Sequence, residues 1–302
     1  KGEFYTVKRS SFVKYFKPDA AFICCHGGEG ENGIVQAILE YNGIPNTSPS
    51  VLASACGMDK ALCKQIFDGM LLNTLPYEVL SREEFESDGK KTVARLESML
   101  EYPLIVKPAC QGSSIGISVA ENGEQLEFAL QVASKFDSKI IVEHKLTDFV
   151  EVNCAAFRNG DKIVLSETEQ PLTFNDFLTF DDKYMSNGKM GGGGHIIPAD
   201  IGSLELVVKA NTERIYRELD LNGVVRVDYL VDKAHNKVYV NEINTIPGSM
   251  AFYLFEPQGV DFKTLISRLI ENAVNYQSLH RTPSAYKTDV LSMFKSGAKM
   301  AK

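Results

Sequence analysis

The sequence predicts a mixed α/β (α+β) fold, on three observations. The apolar run Ala20 to Cys25 breaks at His26-Gly27-Gly28, as a buried strand does where it meets a glycine turn. Beyond that turn Ile34, Ala37, Ile38 and Tyr41 recur at helical spacing until Gly43 stops them. Farther along, short apolar segments alternate with glycine-rich loops, and one longer stretch is amphipathic.

Taken in order, residues Phe4 to Lys17 read as a short strand and a helix-like stretch, followed by the strand, loop and helix just described. Asp59 to Met70 reads as a second helix. Ile105-Val106-Lys107-Pro108 is a strand that enters the loop Gln111 to Ser118. Strands at Ile140 to Glu143 and Val152 to Phe157 follow, with a turn at Asn159-Gly160. The helix Leu204 to Leu219 is expected to bury Leu204, Val207, Val208, Ile215 and Leu219, and Gly223 lies just past its end. A strand pair, Val224 to Val231 and Lys237 to Ile243, is joined by the polar turn Asp232 to Asn236. Gly188 to Gly194, GKMGGGG, has few side chains to pack and reads as a lid that a ligand would order. Beyond Asn275 the sequence turns polar and ends in a basic tail, Lys295 to Lys302.

Composition excludes several functions. A chain of 302 residues is long enough for about two domains and a sizeable core. Its net charge of -7 repels phosphate backbones and anionic lipid, so neither nucleic acid nor membrane is expected as partner. A polyanionic ligand would need local lysines and metal. Cys24, Cys25, Cys56, Cys63, Cys110 and Cys154 form no C-x-x-C pair and read as buried free thiols in a reducing compartment. With no membrane-length apolar run and no secretory leader, the expected location is cytoplasmic.

Two constellations carry chemistry. The loop Gly112 to Gly116 follows a strand that ends in Lys107, so backbone N–H groups and hydroxyls can wrap phosphate oxygens while the lysine supplies charge. A glycine-serine turn is equally what a simple connection looks like. Arg226-Val227-Asp228 and Glu242-Ile243-Asn244 sit on adjacent expected strands, and the period of two places each pair on one face. Such oxygen ligands suit Mg²⁺. The competing reading is a cross-strand salt bridge on a solvated face. It loses ground because Thr245-Ile246-Pro247-Gly248 follows at once, a turn able to present N–H groups.

From His26 to Ala273 these features together resemble the D-alanine–D-alanine ligase family of ATP-grasp enzymes. His26 to Gly33 is similar to its HGxxGEDG segment, Met58-Asp59-Lys60 to its MDK, Lys107 to Ser118 to its KPxxxGSSxGxS, and Asn241 to Gly248 to its NEINTxPG. Four motifs in order form a specific signal.

The resemblance implies an ATP-grasp fold, with two α+β subdomains enclosing ATP behind a shortened Rossmann-like domain. The implied bounds are 1–57 for the N-terminal substrate domain, 58–142 for the small subdomain, 143–277 for the large subdomain with lid 174–198, and 278–302 for a polar tail. Lys60 and Lys107 would bind ATP phosphates, and Gly112, Ser113 and Ser114 would cover them. Glu143, His144, Lys145 and Leu146 would form the hinge that holds adenine, and Glu151 would take the ribose. Asp228, Glu242 and Asn244 would hold two Mg²⁺ ions, with Mn²⁺ as a substitute. Lys183 and Tyr184 in the lid would reach the γ-phosphate and Ser113 respectively. Arg226 and the Gly248 N–H would form the oxyanion site, and His26, Ser249 and Tyr253 would face the amino-acid substrates.

The implied reaction joins two D-alanines through an acyl phosphate, for cell-wall precursor synthesis, with ATP and D-alanine as small-molecule partners and a homodimer left open. Three departures bear on this. The family's first strand and its glutamate-bearing glycine loop have no counterpart ahead of Lys1, Asn32 stands where aspartate is usual, and Tyr253 stands where a serine binds the second substrate's carboxylate. A D-serine-accepting ligase and a non-catalytic ATP-binding protein therefore stand as alternatives. Tyr184 favours an amine over a hydroxyl as the nucleophile.

Overall fold

The computed structural model of the chain describes residues 2–8, 11–172 and 194–280. Lys183, Tyr184 and most of the expected lid lie outside the described residues, as does the basic tail.

An antiparallel hairpin opens the chain, β1 (Phe4–Lys8) with β2 (Ser11–Phe16). The expected helix-like stretch is thus a strand; Phe12, Val13, Tyr15 and Phe16 are aromatic or β-branched and fit a pleated surface. The run Ala20 to Cys25 corrects the expected buried strand as well. It makes a single parallel bridge, Ala21 to Asn46, and only Ile23 is buried, while Phe22, Cys24 and Cys25 are exposed. One bridge does not build a ladder, so the segment stays irregular up to the turn at Gly27. Helix α1 (Ile34–Asn42) ends at Gly43 with φ 69°, a left-handed stop that favours glycine. Its stripe Ile34, Ile38 and Tyr41 faces outward, and Gln36 and Leu39 face in.

Helix α2 (Val51–Met58) leads into α3 (Lys60–Gly69), whose N-cap Asp59 accepts the Leu62 N–H at 3.0 Å. The next layer is a four-stranded antiparallel sheet made by β3 (Tyr77–Ser81), β4 (Leu104–Pro108), β5 (Ser118–Ala120) and β6 (Lys139–His144), in the order β3-β6-β4-β5. Helices α4 (Arg82–Ser87), α5 (Gly89–Met99) and α6 (Gly123–Ala133) belong to the same unit. Leu96, Leu104, Val106, Leu126, Leu130, Ile140 and Val142 form its core. Each aliphatic side chain removed from water there contributes about 1.5–3 kcal/mol.

The second sheet has five strands in the order β11-β10-β7-β8-β9, from β7 (Val150–Asn159), β8 (Lys162–Pro171), β9 (His195–Ile196), β10 (Val224–Asp232) and β11 (Lys237–Asn244). One face packs against α3 and α7 (Leu204–Glu218) through Val152, Cys154, Val225, Val227 and Tyr229. On α7, Val207 is exposed, against expectation, and Thr212 and Tyr216 are buried in its place. Both carry hydroxyls that find partners inside: Thr212 with the Tyr229 hydroxyl at 2.7 Å, and Tyr216 donating to the Gly223 carbonyl at 2.8 Å.

The opposite face is apolar at one end, where Ala155, Phe157 and Val224 pack under Leu254, Phe255 and helix α8 (Phe262–His280). It turns polar at the other end. Helix α8 runs on to His280, so the expected polar tail begins as helix. Among the cysteines Cys63 and Cys154 are buried as expected; burial pushes their thiols up to about 12 and about 11. Cys24 and Cys25 are exposed, which corrects the reading of all six as buried. Among the described residues no helix is long and apolar enough to cross a membrane.

Candidate active site

The polar end of the second sheet is built by register. Arg226 of β10 stands opposite Asn244 of β11, and Asp228 opposite Glu242. Because directly opposed residues share a face, all four side chains project together. Arg226 donates from Nε to Asp228 Oδ1 at 2.6 Å and from Nη2 to Oδ2 at 2.8 Å, a bidentate pair. Asn244 Nδ2 donates to the same Oδ2 at 2.8 Å. Burial disfavours the Arg226 cation, but Asp228 more than offsets this and raises its pKa further.

From the first sheet's side come the lysines. Lys60, at the start of α3, has its Nζ 3.1 Å from Glu242 Oε2 and donates to the Gln111 carbonyl at 2.8 Å. It therefore links the oxygen ligands to the glycine-serine loop. Burial lowers its pKa, yet Glu242 outweighs the burial and the net direction is up. Lys107 of β4 pairs with the Glu143 carboxylate on β6, and Lys64 of α3 reaches the same carboxylate at 2.8 Å. Burial would push the Glu143 carboxyl up; Lys107 and then Lys64 hold it at about 2. Glu143 thus acts through its side chain on the two lysines, and only its backbone is left for the hinge. Past it, His144 N–H donates to the Pro76 carbonyl at 2.9 Å and Lys145 N–H to the Pro103 carbonyl at 2.8 Å. Leu146 follows in the connection to β7, which carries Glu151 at a half-buried position.

The loop between β4 and β5 is strained where phosphate is expected. Ser113 and Ser114 have φ of 53° and 59°, in the left-handed region that L-residues avoid, and Gly116 has φ 72°. Consecutive turn residues of this kind direct backbone N–H groups into a concavity suited to anions. A second strained turn begins at Gly248, where Ser249, Met250 and Ala251 have φ of 52°, 54° and 46°. Such outliers concentrate at functional sites. Ser249 is exposed there, and Tyr253 is carried back over the sheet.

The HGGEGENG loop closes this end. His26 Nδ1 lies 2.8 Å from the Ile246 carbonyl, and Glu31 accepts the N–H groups of Gly27 at 2.7 Å and Ile246 at 3.2 Å. The structure therefore gathers Lys60, Lys107, Arg226, Asp228, Glu242, Asn244 and the start of the Gln111 to Gly116 loop into one connected polar cluster. His144 turns away, its Nδ1 lying 3.0 Å from the Glu101 carbonyl. Sequence reasoning missed Lys64, Asn153, Glu169 and His195. The first is a buried counter-cation in a helix of ordinary composition; Asn153 and Glu169 enter only through the pairing of β7 with β8 and β10, and His195 only through β9 beside β8.

Two antiparallel sheets, with Lys107 on the first, the oxygen ligands on the second and Lys60 on α3 joining them, make up one polar site, and the chain has the ATP-grasp fold of a ligase. Residues 66–271 match the family model described as D-ala D-ala ligase C-terminus. The D-alanine–D-alanine ligase of Chloroherpeton thalassium is 39% identical over 267 residues, which cover 87% of this chain and 71% of the relative. Among solved structures, the D-alanine–D-alanine ligase of Helicobacter pylori is 28% identical with a TM-score of 0.71, covering 93% of this chain and 77% of that one. The VanG D-Ala:D-Ser ligase of Enterococcus faecalis is 26% identical with a TM-score of 0.75, covering 89% and 79%. The chain belongs to the D-alanine–D-alanine ligase family.

Proposed function

We propose that the chain is an ATP-dependent ligase that joins two D-alanines, and that the cleft between the two sheets is its active site. The observation that carries this reading is the square of Arg226, Asn244, Asp228 and Glu242, linked through Lys60 to the strained Gln111 to Gly116 loop. ATP would lie with its phosphates against Lys60, Lys107 and the N–H groups around Ser113 and Ser114, and its adenine at the hinge Glu143 to Leu146, with Glu151 toward the ribose. Dependence on ATP supports a cytoplasmic location.

Two carboxylates and an amide oxygen on facing strands are hard donors that fit Mg²⁺. Asp228, Glu242 and Asn244 would hold two such ions, which supply charge neutralisation of the phosphates. Arg226 and Lys60 pair with the same carboxylates. Those cations are then already positioned to meet incoming phosphate and substrate oxygens.

A carboxylate is a poor electrophile, so the first D-alanine must be activated as an acyl phosphate. The second amine then attacks, and negative charge develops on the carbonyl oxygen. Arg226 and the Gly248 N–H are the donors for that oxyanion; one such donor is commonly worth about 3–4 kcal/mol in kcat. Water would hydrolyse the acyl phosphate, so the reaction needs it kept from the site.

One observation favours a second reading of the second substrate. Tyr253 stands where the resemblance expects a carboxylate-binding serine and donates to Glu169 Oε1 at 2.9 Å, and a D-Ala:D-Ser ligase is among the structures the chain resembles, which supports D-serine as the alternative second substrate. The test is phosphate release with D-alanine alone or D-alanine plus D-serine, with the dipeptide identified by mass. ATP binding without amino-acid-dependent phosphate release would leave only a nucleotide-binding protein.

A further inference from the structure

The row of opposed residues that contains the oxygen ligands does not stop at Asp228. Asp228 stands opposite Asn153 of β7, and Asn153 opposite Glu169 of β8, so Glu242, Asp228, Asn153 and Glu169 form one line across four strands. Glu169 therefore projects from the same face as the rest of the site. Its side chain is only 2% exposed, and its acceptors are taken: Oε2 by Asn153 Nδ2 at 3.0 Å, Oε1 by the Tyr253 hydroxyl at 2.9 Å and by His195 Nδ1 at 2.6 Å. A carboxylate so engaged is held in one position. It orients its neighbours.

His195 on β9 is 48% exposed on the side chain and lies with its ring 5.8 Å from that of Tyr253. With Nδ1–H directed at Glu169, the proton-accepting nitrogen of the neutral ring is Nε2. Among the described residues, the charged and titratable groups around this pair are Glu169 and Tyr253, with Arg226 close enough to feel both and Asp228 close enough to act on Tyr253. The Arg226 guanidinium, assigned above to the oxyanion, lies within electrostatic reach of Glu169 and Tyr253, the two side chains that flank the imidazole.

We propose that His195, oriented by Glu169, is the base that takes a proton from the incoming amine; this rests on the ligase reading above. The second D-amino acid arrives as an ammonium, which has no lone pair for attack. Transfer of one N–H proton to His195 Nε2 frees that pair. It forms the bond to the acyl carbon, the bond from that carbon to the phosphate oxygen breaks, and the phosphate leaves with those electrons. The departing phosphate takes the second proton and the amide remains. Glu169 is a positioning residue in this scheme, and a positioned base contributes roughly 10²- to 10⁴-fold.

Hydroxylamine tests this, because its nitrogen is unprotonated at neutral pH and needs no base to attack an acyl phosphate. The full chain is given ATP, Mg²⁺, D-alanine and hydroxylamine, and D-alanyl hydroxamate and dipeptide are counted together. His195→Gln is expected to raise the ratio of hydroxamate to dipeptide at least 10-fold, and Glu169→Gln to raise it less. A merely structural role would lower both products alike and leave the ratio unchanged in both variants, which would overturn the proposal while leaving the ligase reading standing. Neither product from the unaltered chain would sink both.

Discussion

Lys60 and Glu242 meet across the cleft at 3.1 Å, so a cation suited to phosphate neutralises a carboxylate suited to metal. Lys60→Ala removes that cation. Mn²⁺ should then bind more tightly without nucleotide, read by electron paramagnetic resonance, while ATP binds about 10- to 100-fold more weakly, the value of a charge-assisted contact of roughly 1.5–3 kcal/mol. Unchanged Mn²⁺ affinity would show that the pair does not guard the metal site.

Glu242→Gln keeps size and removes one metal ligand's charge. Ligation should fall by roughly 10²-fold or more, since metal-borne charge stabilisation is worth several kcal/mol. The thermal unfolding midpoint should hardly move. Near-normal Mg²⁺-dependent turnover would rule out this residue as a ligand.

Glu143 has the reverse profile, because its carboxylate is the buried counter-ion of both Lys64 and Lys107. Glu143→Gln leaves two cations without it, and denaturant unfolding should register a loss of about 3–5 kcal/mol. The unaltered pair should also shape acid stability. The folded carboxyl sits at about 2 against an ordinary 4.5, so its contribution is fully present above the ordinary value and is lost as pH falls toward 2. Unfolding free energies measured between those limits should converge for the parent and the Gln variant; curves that stay parallel would contradict the pairing.

Gly116 has φ 72°, and a Cβ there would lie 2.7 Å from the Phe136 ring and 2.8 Å from Pro108 Cγ. Gly116→Ala should distort the phosphate loop at a cost of about 1–3 kcal/mol, seen by calorimetry as roughly 10-fold weaker ATP binding. Equal affinity would mean that the loop's strained geometry is not what receives the nucleotide.

Much of this was legible beforehand. Period two in Arg226-Val227-Asp228 and Glu242-Ile243-Asn244 placed each pair on one face, because side chains alternate along any strand. Helical spacing and Gly43 bounded α1 within a residue, and the motif order carried the family. The sequence by itself determined those local elements and the residue types at the site, since both follow from short-range geometry.

Only the tertiary structure decided which of them meet. Whether Ala20 to Cys25 builds a ladder depends on a neighbouring strand, and it found one bridge. Thr212 and Tyr216 could be buried on α7 because hydrogen-bond partners wait inside, which no count of apolar residues reveals. Glu169 and His195 joined the cleft through strand register, and Lys64 joined Glu143 across a helix and a sheet. These are contacts between residues distant in the chain. Local periodicity holds no information about them, because register and packing are settled by what the whole core buries.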